Sequence, residues 1–420
     1  MRDYYTLSVY YCVSESRAKE EEIRTMEGGS SYDSLPHDII LHIFSYIFSR
    51  LPLDCVFRLK CVCKAWSVLI SDFEALHLKR LRETSHGIIC LHTHRDSRDC
   101  KISFEIRSLQ VGRGFKTLLE KDVFRSNMYS RFLMNIGQVH SLDGLICLND
   151  GEDFDVFNPT TKELNSLPPC PCDAFPAFPD SRRSVMLSGF GYCPLTKQYK
   201  VLSIFHYVYG DLFNQTPLSG FKAAIITVGR SNSSWRIIDI PSSYPFSDNT
   251  TFCINGTFYW FNYSKNQNQY QYHHITAFNV SDETFQEIGL PPQVDMRPLK
   301  TLRLAEHEEG RLCLVDFVEH NGEHLDVYIM LENHQWEFRF RVFFEDFQQY
   351  EYDASDSYPE CVSCLRIGKI LVFSDDAQRW HLYDIKSKAL EFFNLGSSPP
   401  NNMFRGVSIF EESFTPICRS

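Results

Sequence analysis

The chain has 420 residues, more than one hydrophobic core usually serves, so a large repeat domain or two unequal domains are expected. Lys plus Arg number 42 against 53 Asp plus Glu, and a formal charge of -11 without a basic stripe argues against a nucleic-acid binder. No run of about 18 uncharged apolar residues occurs, which argues against a membrane-spanning helix.

Residues 1–33 are polar and charged, lack a sustained period and include EGGSS, so disorder is expected there. The opening MRDYYTLSVYYCV has a short, interrupted apolar run and no small-residue cleavage site, so no signal peptide is read. Met26 opens MEGGSSYDSLP, which reads as a natural start and makes the first 25 residues an optional extension. Without an entry signal the protein is expected inside the cell, in the nucleus or the cytoplasm. Six sequons, at Asn214, Asn232, Asn249, Asn255, Asn262 and Asn279, are then expected to be polar turns. The 15 cysteines are spread through apolar runs such as GLICL and are expected to be reduced thiols.

From Ser34 to about Leu81 the pattern is helical. Ser34 can cap a helix that Pro36 opens, and Ile39, Ile40, Ile43, Phe44 and Ile47 recur at three- and four-residue spacing. Pro52 ends that helix or opens the next, in which Leu59, Val62, Cys63, Trp66, Leu69 and Ile70 fall on one stripe. Lys79, Arg80 and Arg82 read as a solvated helix face.

Beyond residue 86 short apolar runs separated by turn residues predict an all-β region. GIICL, GLICL, GTFYW, GRLCL and GKILV begin at Gly87, Gly144, Gly256, Gly310 and Gly368, in steps of 57, 112, 54 and 58. Since 112 is two steps of 56, a weaker copy is expected near residue 200, where YKVLSIF, 199–205, stands without the glycine. VFNPTTKEL from Val156, AFNVSDETF from Ala277 and LYDIKSKAL from Leu382 each read as two strands joined by a polar turn, and LPP comes after two of them, at 167–169 and 290–292. Such units cannot bury both faces alone, so about six of them from 87 to 420 predict a closed radial array, a β-propeller, with an irregular β-sandwich as the alternative.

The segment RLKCVCKAW, 58–66, invites a metal, redox or partner reading. Cys61 and Cys63 have one residue between them, no second ligand pair stands downstream, and on a helix the two thiols diverge by about 200°, so metal and redox chemistry are not expected. The partner reading is stronger. A helical region of under 50 residues that displays Ile, Leu, Phe and Trp on more than one face needs cover, and each such side chain contributes on the order of 1.5–3 kcal/mol when buried. Packing of these faces on one another or on the β region is the alternative.

LPHDIILHIFSYIFSRLPLDCVFRLKCVCKAWSVLI, 35–70, resembles an F-box, through Leu35-Pro36, Arg50-Leu51-Pro52 and Val62-Cys63-Lys64 with Trp66, in that order. The resemblance implies docking on a Skp-type adaptor and, through it, on a cullin-RING ubiquitin ligase. It gives contact roles to Leu35, Pro36, Ile39, Ile43, Leu51 and Pro52, and mixed contact and core roles to Leu59, Val62, Cys63 and Trp66. The spacing from Leu35 to Arg50 exceeds the family's by about four residues, and one extra helical turn rotates the next segment by only about 40°. Residues 87–420 resemble the F-box-associated domains of plant F-box proteins, through GLICLNDGEDFDVFNPTTKELNSLPP, GFGYCPLTKQYKVLSIF, SWRIIDIP and INGTFYWF. They lack the Gly-Gly doublets of kelch blades and the Trp-Asp pairs of WD40 blades.

An α+β multidomain chain is therefore expected: an N-terminal extension over 1–33, an F-box over 34–74, a helical linker over 75–86 and a propeller-like domain over 87–420. No nucleophile elbow, phosphate loop or H-E-x-x-H occurs, so no catalytic residue, cofactor or metal is expected. Cys361 and Cys364 read as a strand and a turn thiol, Cys170-Pro-Cys172 as an exposed loop, His92, His94, His273 and His274 as surface histidines, and Asp153, Asp155, Asp375 and Asp376 as turn-side carboxylates. The implied function is a non-catalytic specificity subunit that brings an unidentified protein target to the ligase, with target-facing loops at 170–184, 206–220, 241–250 and 262–273. A scaffold or inhibitor that holds the adaptor without a working ligase is the second reading. Carbohydrate binding through Tyr244, Phe246, Trp260, Phe261 and Tyr263 is the third.

Overall fold

The structure, a computed structural model, describes residues 46–47, 51, 53–60, 62, 70, 86–95, 100–110, 114–126, 138–149, 153–170, 182–209, 218–229, 233–241, 251–266, 269–294, 302–307, 310–318, 324–343, 361–365, 370–374, 379–384, 389–394, 402–410 and 417. Backbone contacts divide the chain into two units, Met1–Arg50 and Leu51–Ser420. In the first, Tyr46 and Ile47 are helical and exposed; the expected cap at Ser34 and the disorder over 1–33 lie outside the described residues.

The second unit opens with helix α1 (Leu53–Lys60), whose last turn carries Arg58 and Lys60 where cations meet the negative end of the helix. The apolar stripe from 59 to 70 predicted one continuous helix, but α1 ends at Lys60 and Val62 sits in a turn, its N–H donating to Leu59 O at 3.1 Å. An i→i−3 bond tightens a helix end, so the stripe is broken just where it begins. Ile70 is again helical, and buried.

The β region forms six four-stranded antiparallel sheets. β1 (His86–Arg95), β2 (Cys100–Gln110) and β3 (Gly114–Ser126) make the first sheet with β24 (Asn402–Phe410), so the last strand of the chain pairs with the first. The other five use consecutive strands. They are β4 (Gln138–Leu142), β5 (Leu145–Asn149), β6 (Phe154–Phe157), β7 (Leu164–Ser166); β8 (Arg182–Cys193), β9 (Gln198–Tyr209), β10 (Leu218–Thr227), β11 (Arg236–Ile238); and β12 (Phe252–Ile254), β13 (Thr257–Asn266), β14 (Gln269–Asn279), β15 (Phe285–Gly289). The last two are β16 (Leu302–Glu306), β17 (Leu312–Val318), β18 (His324–Met330), β19 (Trp336–Phe343); and β20 (Cys361–Leu365), β21 (Ile370–Ser374), β22 (Arg379–Asp384), β23 (Ala389–Asn394). The leading strands neighbour one another in the cycle β24, β4, β8, β12, β16, β20 and back to β24.

The repeat read from the sequence has a structural meaning. Every glycine run forms or opens onto the second strand of its sheet, β1, β5, β13, β17 and β21, and YKVLSIF lies in β9, the second strand of the sheet without the glycine. The reason for the glycine is visible at Asp143-Gly144 and Asn255-Gly256, where both residues have positive φ (51° and 77°, 50° and 75°), as a two-residue type I′ hairpin requires. The VFNPTTKEL and AFNVSDETF repeats are the turns between third and fourth strands. In both, an Asn side chain accepts the N–H two residues on, and Lys162 and Glu283 take the positive φ that lets the chain return.

Sheet packing reflects strand alternation. Leu145, Cys147, Phe154, Phe190, Tyr199 and Val201 join the second sheet in chain order to the third; Leu187, Leu202, Phe258, Trp260 and Phe278 join the third to the fourth; Ile254, Phe261, Ile275, Leu304, Leu314 and Tyr328 join the fourth to the fifth. Outer strands are tied by indoles at matching places: Trp235 Nε1 donates to Pro168 O and Trp336 Nε1 to Gly289 O. The closest approach needs glycine. A Cβ at Gly191 would lie 2.6 Å from Cys253 Sγ and 2.9 Å from the Phe258 ring, and one at Gly189 2.7 Å from that ring. Gly191→Ala is accordingly expected to destabilise by about 1–3 kcal/mol through overpacking, read as a lower urea midpoint with an unchanged slope.

Five sequence expectations are corrected by the structure. The stretch 262–273 is not irregular, since β13 runs to Asn266 and β14 restarts at Gln269; alternating Tyr and polar residues form a long hairpin despite the Asn/Gln content. The 206–220 stretch likewise contains the end of β9 and the start of β10. Cys170 is buried against Phe205 and Ala224 rather than in an exposed loop, and Cys364 lies in β20, not in a turn. The sequon at Asn262 is within a strand and buried, whereas Asn255 and Asn279 do occupy turns.

Candidate docking segment and the polar layer between the sheets

Of the residues given adaptor roles, the structure describes Leu51, Leu59 and Val62. Leu51 and Leu59 are half-buried, while Val56 beside them and Ile70 beyond are each 1% exposed. Val56 and Leu59 stand three residues apart on one face of α1. Val62 is 49% exposed, an apolar side chain held at the surface by the turn that ends the helix. Leu35, Pro36, Ile39, Ile43, Pro52, Cys63 and Trp66 lie outside the described residues.

The sheets carry a second set of groups that the motif reading missed. His140 on β4 meets Ser188 on β8, with Nε2 and Oγ 3.1 Å apart, and the Thr251 hydroxyl donates to Ser188 O. Burial lowers the His140 pKa to about 4, with a hydrogen bond at Ser188 opposing it, so the ring is neutral at pH 7. On the fourth sheet Asn262 reaches His274, 2.7 Å from Nε2, and the Thr276 hydroxyl; its Oδ1 meets no donor among the described residues. On the fifth, Arg341 grips buried Asp326 with two bonds of 2.6 and 2.8 Å, and His324 Nε2 lies 3.6 Å from the same carboxylate. The Asp326 carboxylate raises the Arg341 pKa through these bonds. The signal was a polar residue at an inward position of an apolar strand, as in CLVDFV and HLDVYIM.

Near the other ends of these strands, Lys200 Nζ donates to Val280 O (2.9 Å) and to Glu283 (3.2 Å), and Arg236 adds its guanidinium to the same carboxylate. Burial would push the Glu283 carboxyl up, but Arg236 and Lys200 hold it below its ordinary value. Cys193 is similar: burial raises its thiol, yet bonds at Thr196 and Ser281 and the Lys200 charge bring it down to about 7. Burial pushes the Cys253 thiol up to about 12 and raises Cys147 further. Cys147, Cys193 and Cys253 carry thiols rather than disulfides, and among the described residues no three His, Cys, Asp or Glu side chains converge as metal ligands would. His140 with Ser188, and Lys200 and Arg236 with the Val280–Glu283 turn, tie sheet to sheet, whereas the Asn262 and Asp326 groups each link strands within one sheet. Trp260 and Phe261, enlisted for carbohydrate contact, are buried in the packing and unavailable to a sugar.

Two family models match. One, described as the F-box associated beta propeller domain, covers residues 86–407, and an F-box-like model covers residues 32–80. An F-box protein of Arabidopsis thaliana is 25% identical over 323 residues, spanning 72% of this chain and 70% of its own. Two further Arabidopsis proteins, provisionally named as F-box proteins, are 24% identical over 354 residues (81% and 78%) and 27% identical over 242 residues (56% and 49%). The chain thus spans about half the length of the last of these.

Proposed function

We propose that this chain, which belongs to the F-box associated beta propeller family, is the target-recognition subunit of a Skp-cullin-F-box ubiquitin ligase. The F-box docks on a Skp-type adaptor, the adaptor joins it to a cullin, and a β-propeller of six blades holds a protein target. The observation that carries this reading is the tandem of an F-box-like match and a propeller-domain match on one chain. The boundaries that go with it are an extension over 1–33, the F-box over 34–74, a linker over 75–86 and the propeller over 87–420. Leu35, Pro36, Ile39, Ile43, Leu51 and Pro52 make adaptor contacts, and Leu59, Val62, Cys63 and Trp66 divide between contact and core.

In this role the chain breaks and makes no covalent bond. It raises the effective concentration of target lysines near the ubiquitin carrier, an entropic contribution that positioning alone supplies. No described helix is long and apolar enough to cross a membrane, and nucleus or cytoplasm, where the ligase partners work, is the proposed location. Co-expression of the full chain with a Skp-type adaptor and a cullin tests the reading. Capture of both is the expected result; adaptor without cullin favours a scaffold, and capture of neither removes the ligase role.

A further inference from the structure

β24 is held differently from the other strands. In five sheets each strand is joined by one link to the strand it pairs with, whereas β24 follows β23 of the sixth sheet and pairs with β1, the first strand of the β region. Its ladder is also interrupted. Phe404 pairs with His92 and Gly406 with Leu91, so Arg405 is an extra residue without a partner on β1, and a bulge of this kind locally disrupts the ladder.

Beyond β24 the chain is fastened a second time. Ile417 is 3% exposed and belongs to the apolar cluster of Leu145, Val156, Tyr199 and Val201, whose other members come from the second and third sheets and the links that follow them. Its N–H donates to Glu163 Oε2 at 3.0 Å. Glu163 ends the β6–β7 turn, in which the Asn158 N–H donates to Glu163 O (3.0 Å) and Asn158 Oδ1 accepts the Thr160 N–H (2.8 Å). The turn fixes the backbone from which this carboxylate reaches Ile417. An ionised acceptor makes such a bond about twice as strong as a neutral one would. The anchor therefore lies in a seam to which the sheet of β24 itself does not belong.

We propose that Ile417 is a clasp that keeps the closing strand β24 on β1. The steps from Phe410 to Ile417 span at most about 25 Å, so either attachment holds the other at a high effective concentration. Loss of one alone is readily reversed. Opening the cycle of sheets at β24 requires both to go, and the clasp thereby couples closure in the first sheet to packing between the second and third. That seam has ties of its own: the Tyr199 hydroxyl donates to Asp143 (2.8 Å), and His140 meets Ser188. Removing the Ile417 side chain thus frees β24 while the second and third sheets stay joined. The clasp acts whatever the array binds.

Hydrogen exchange of the full chain, read peptide by peptide by mass spectrometry, tests it. In Ile417→Ala the β24 amides are expected to exchange about tenfold faster, while those of β19, the outer strand of the fifth sheet, keep their rate. Ile417→Val, which removes less of the side chain, is expected to give about a threefold effect on the same amides and serves should the alanine variant fail to fold. Glu163→Ala is expected to act on β24 in the same direction and more weakly. Glu163→Gln, whose amide oxygen still accepts, should match the unaltered chain. Unchanged exchange in β24, or a rise shared equally by β19, overturns the inference and leaves Ile417 a filler of the seam with no hold on the closing strand.

Discussion

Val62→Asp is expected to weaken capture of a Skp-type adaptor about a hundredfold while leaving the urea midpoint of the free chain almost unchanged. The two halves of that expectation have different causes. In the free chain Val62 is 49% exposed, so a carboxylate there stays hydrated, and surface substitutions of this kind change stability by about 0.5 kcal/mol at most. In an apolar interface the same carboxylate loses its water without gaining a partner, and a penalty of about 3 kcal/mol corresponds to the hundredfold loss. Leu51→Ala, at a half-buried position, is expected to cost about tenfold. Leu195→Asp, on the β8–β9 turn and 77% exposed, is the matched control and should capture adaptor as the unaltered chain does. Adaptor capture by Val62→Asp at undiminished affinity would remove Val62 from the docking surface. Surface plasmon resonance against immobilised adaptor supplies the affinities.

What could be read from the sequence was whatever is local and repeated. Gly144 and Gly256 announced strands because a type I′ turn admits few other residues, and that steric rule acts within a few residues of chain. The missing glycine near 200 has a local cause: β8 and β9 are joined by the longer Pro194-Leu195-Thr196-Lys197 turn, in which Lys197 takes the positive φ at 54°. A closed array was expected, but that β24 pairs with β1 could not be read, since pairing across more than 300 residues leaves no short-range pattern. The polar layer was hidden for the same reason. Asn262 looks like a turn residue beside Tyr263 and Ser264, and only the approach of His274 and Thr276 from β14 explains its burial. The helix break after Lys60 defeats periodicity differently: the stripe through Leu59, Val62 and Ile70 persists in sequence although the backbone turns at Val62. Such a pattern records which side chains are apolar, not whether one helix carries them all.

Acidification is expected to remove up to about 3 kcal/mol of stability between about pH 6.5 and about pH 4, through His140. Its folded-state pKa, about 4, lies below the ordinary 6.5. In that window the unfolded chain binds a proton that the folded chain refuses, so stability falls as pH falls. Above 6.5 the ring is neutral in both states, and below 4 charged in both, so the slope vanishes outside the window. A separation of about 2.5 units at 1.36 kcal/mol each sets the ceiling, and the solvent that still reaches part of His140 lowers it. Against a total of about 5–15 kcal/mol this is a large share. The groups around the ring do not imitate it: Cys147, its cross-strand partner, has a raised pKa and stays a neutral thiol, and Ser188 does not titrate. Glu283, with its lowered pKa, contributes stability that is present above the unfolded carboxyl pKa and lost as pH falls through its folded value. His140→Gln, which keeps a polar group opposite Ser188, isolates the effect. Urea midpoints at about pH 7 and about pH 4.5 should diverge for the unaltered chain and converge for the variant; an equal fall in both would mean that the ring is already protonated between β4 and β8, and that the contact with Ser188 tolerates a cation.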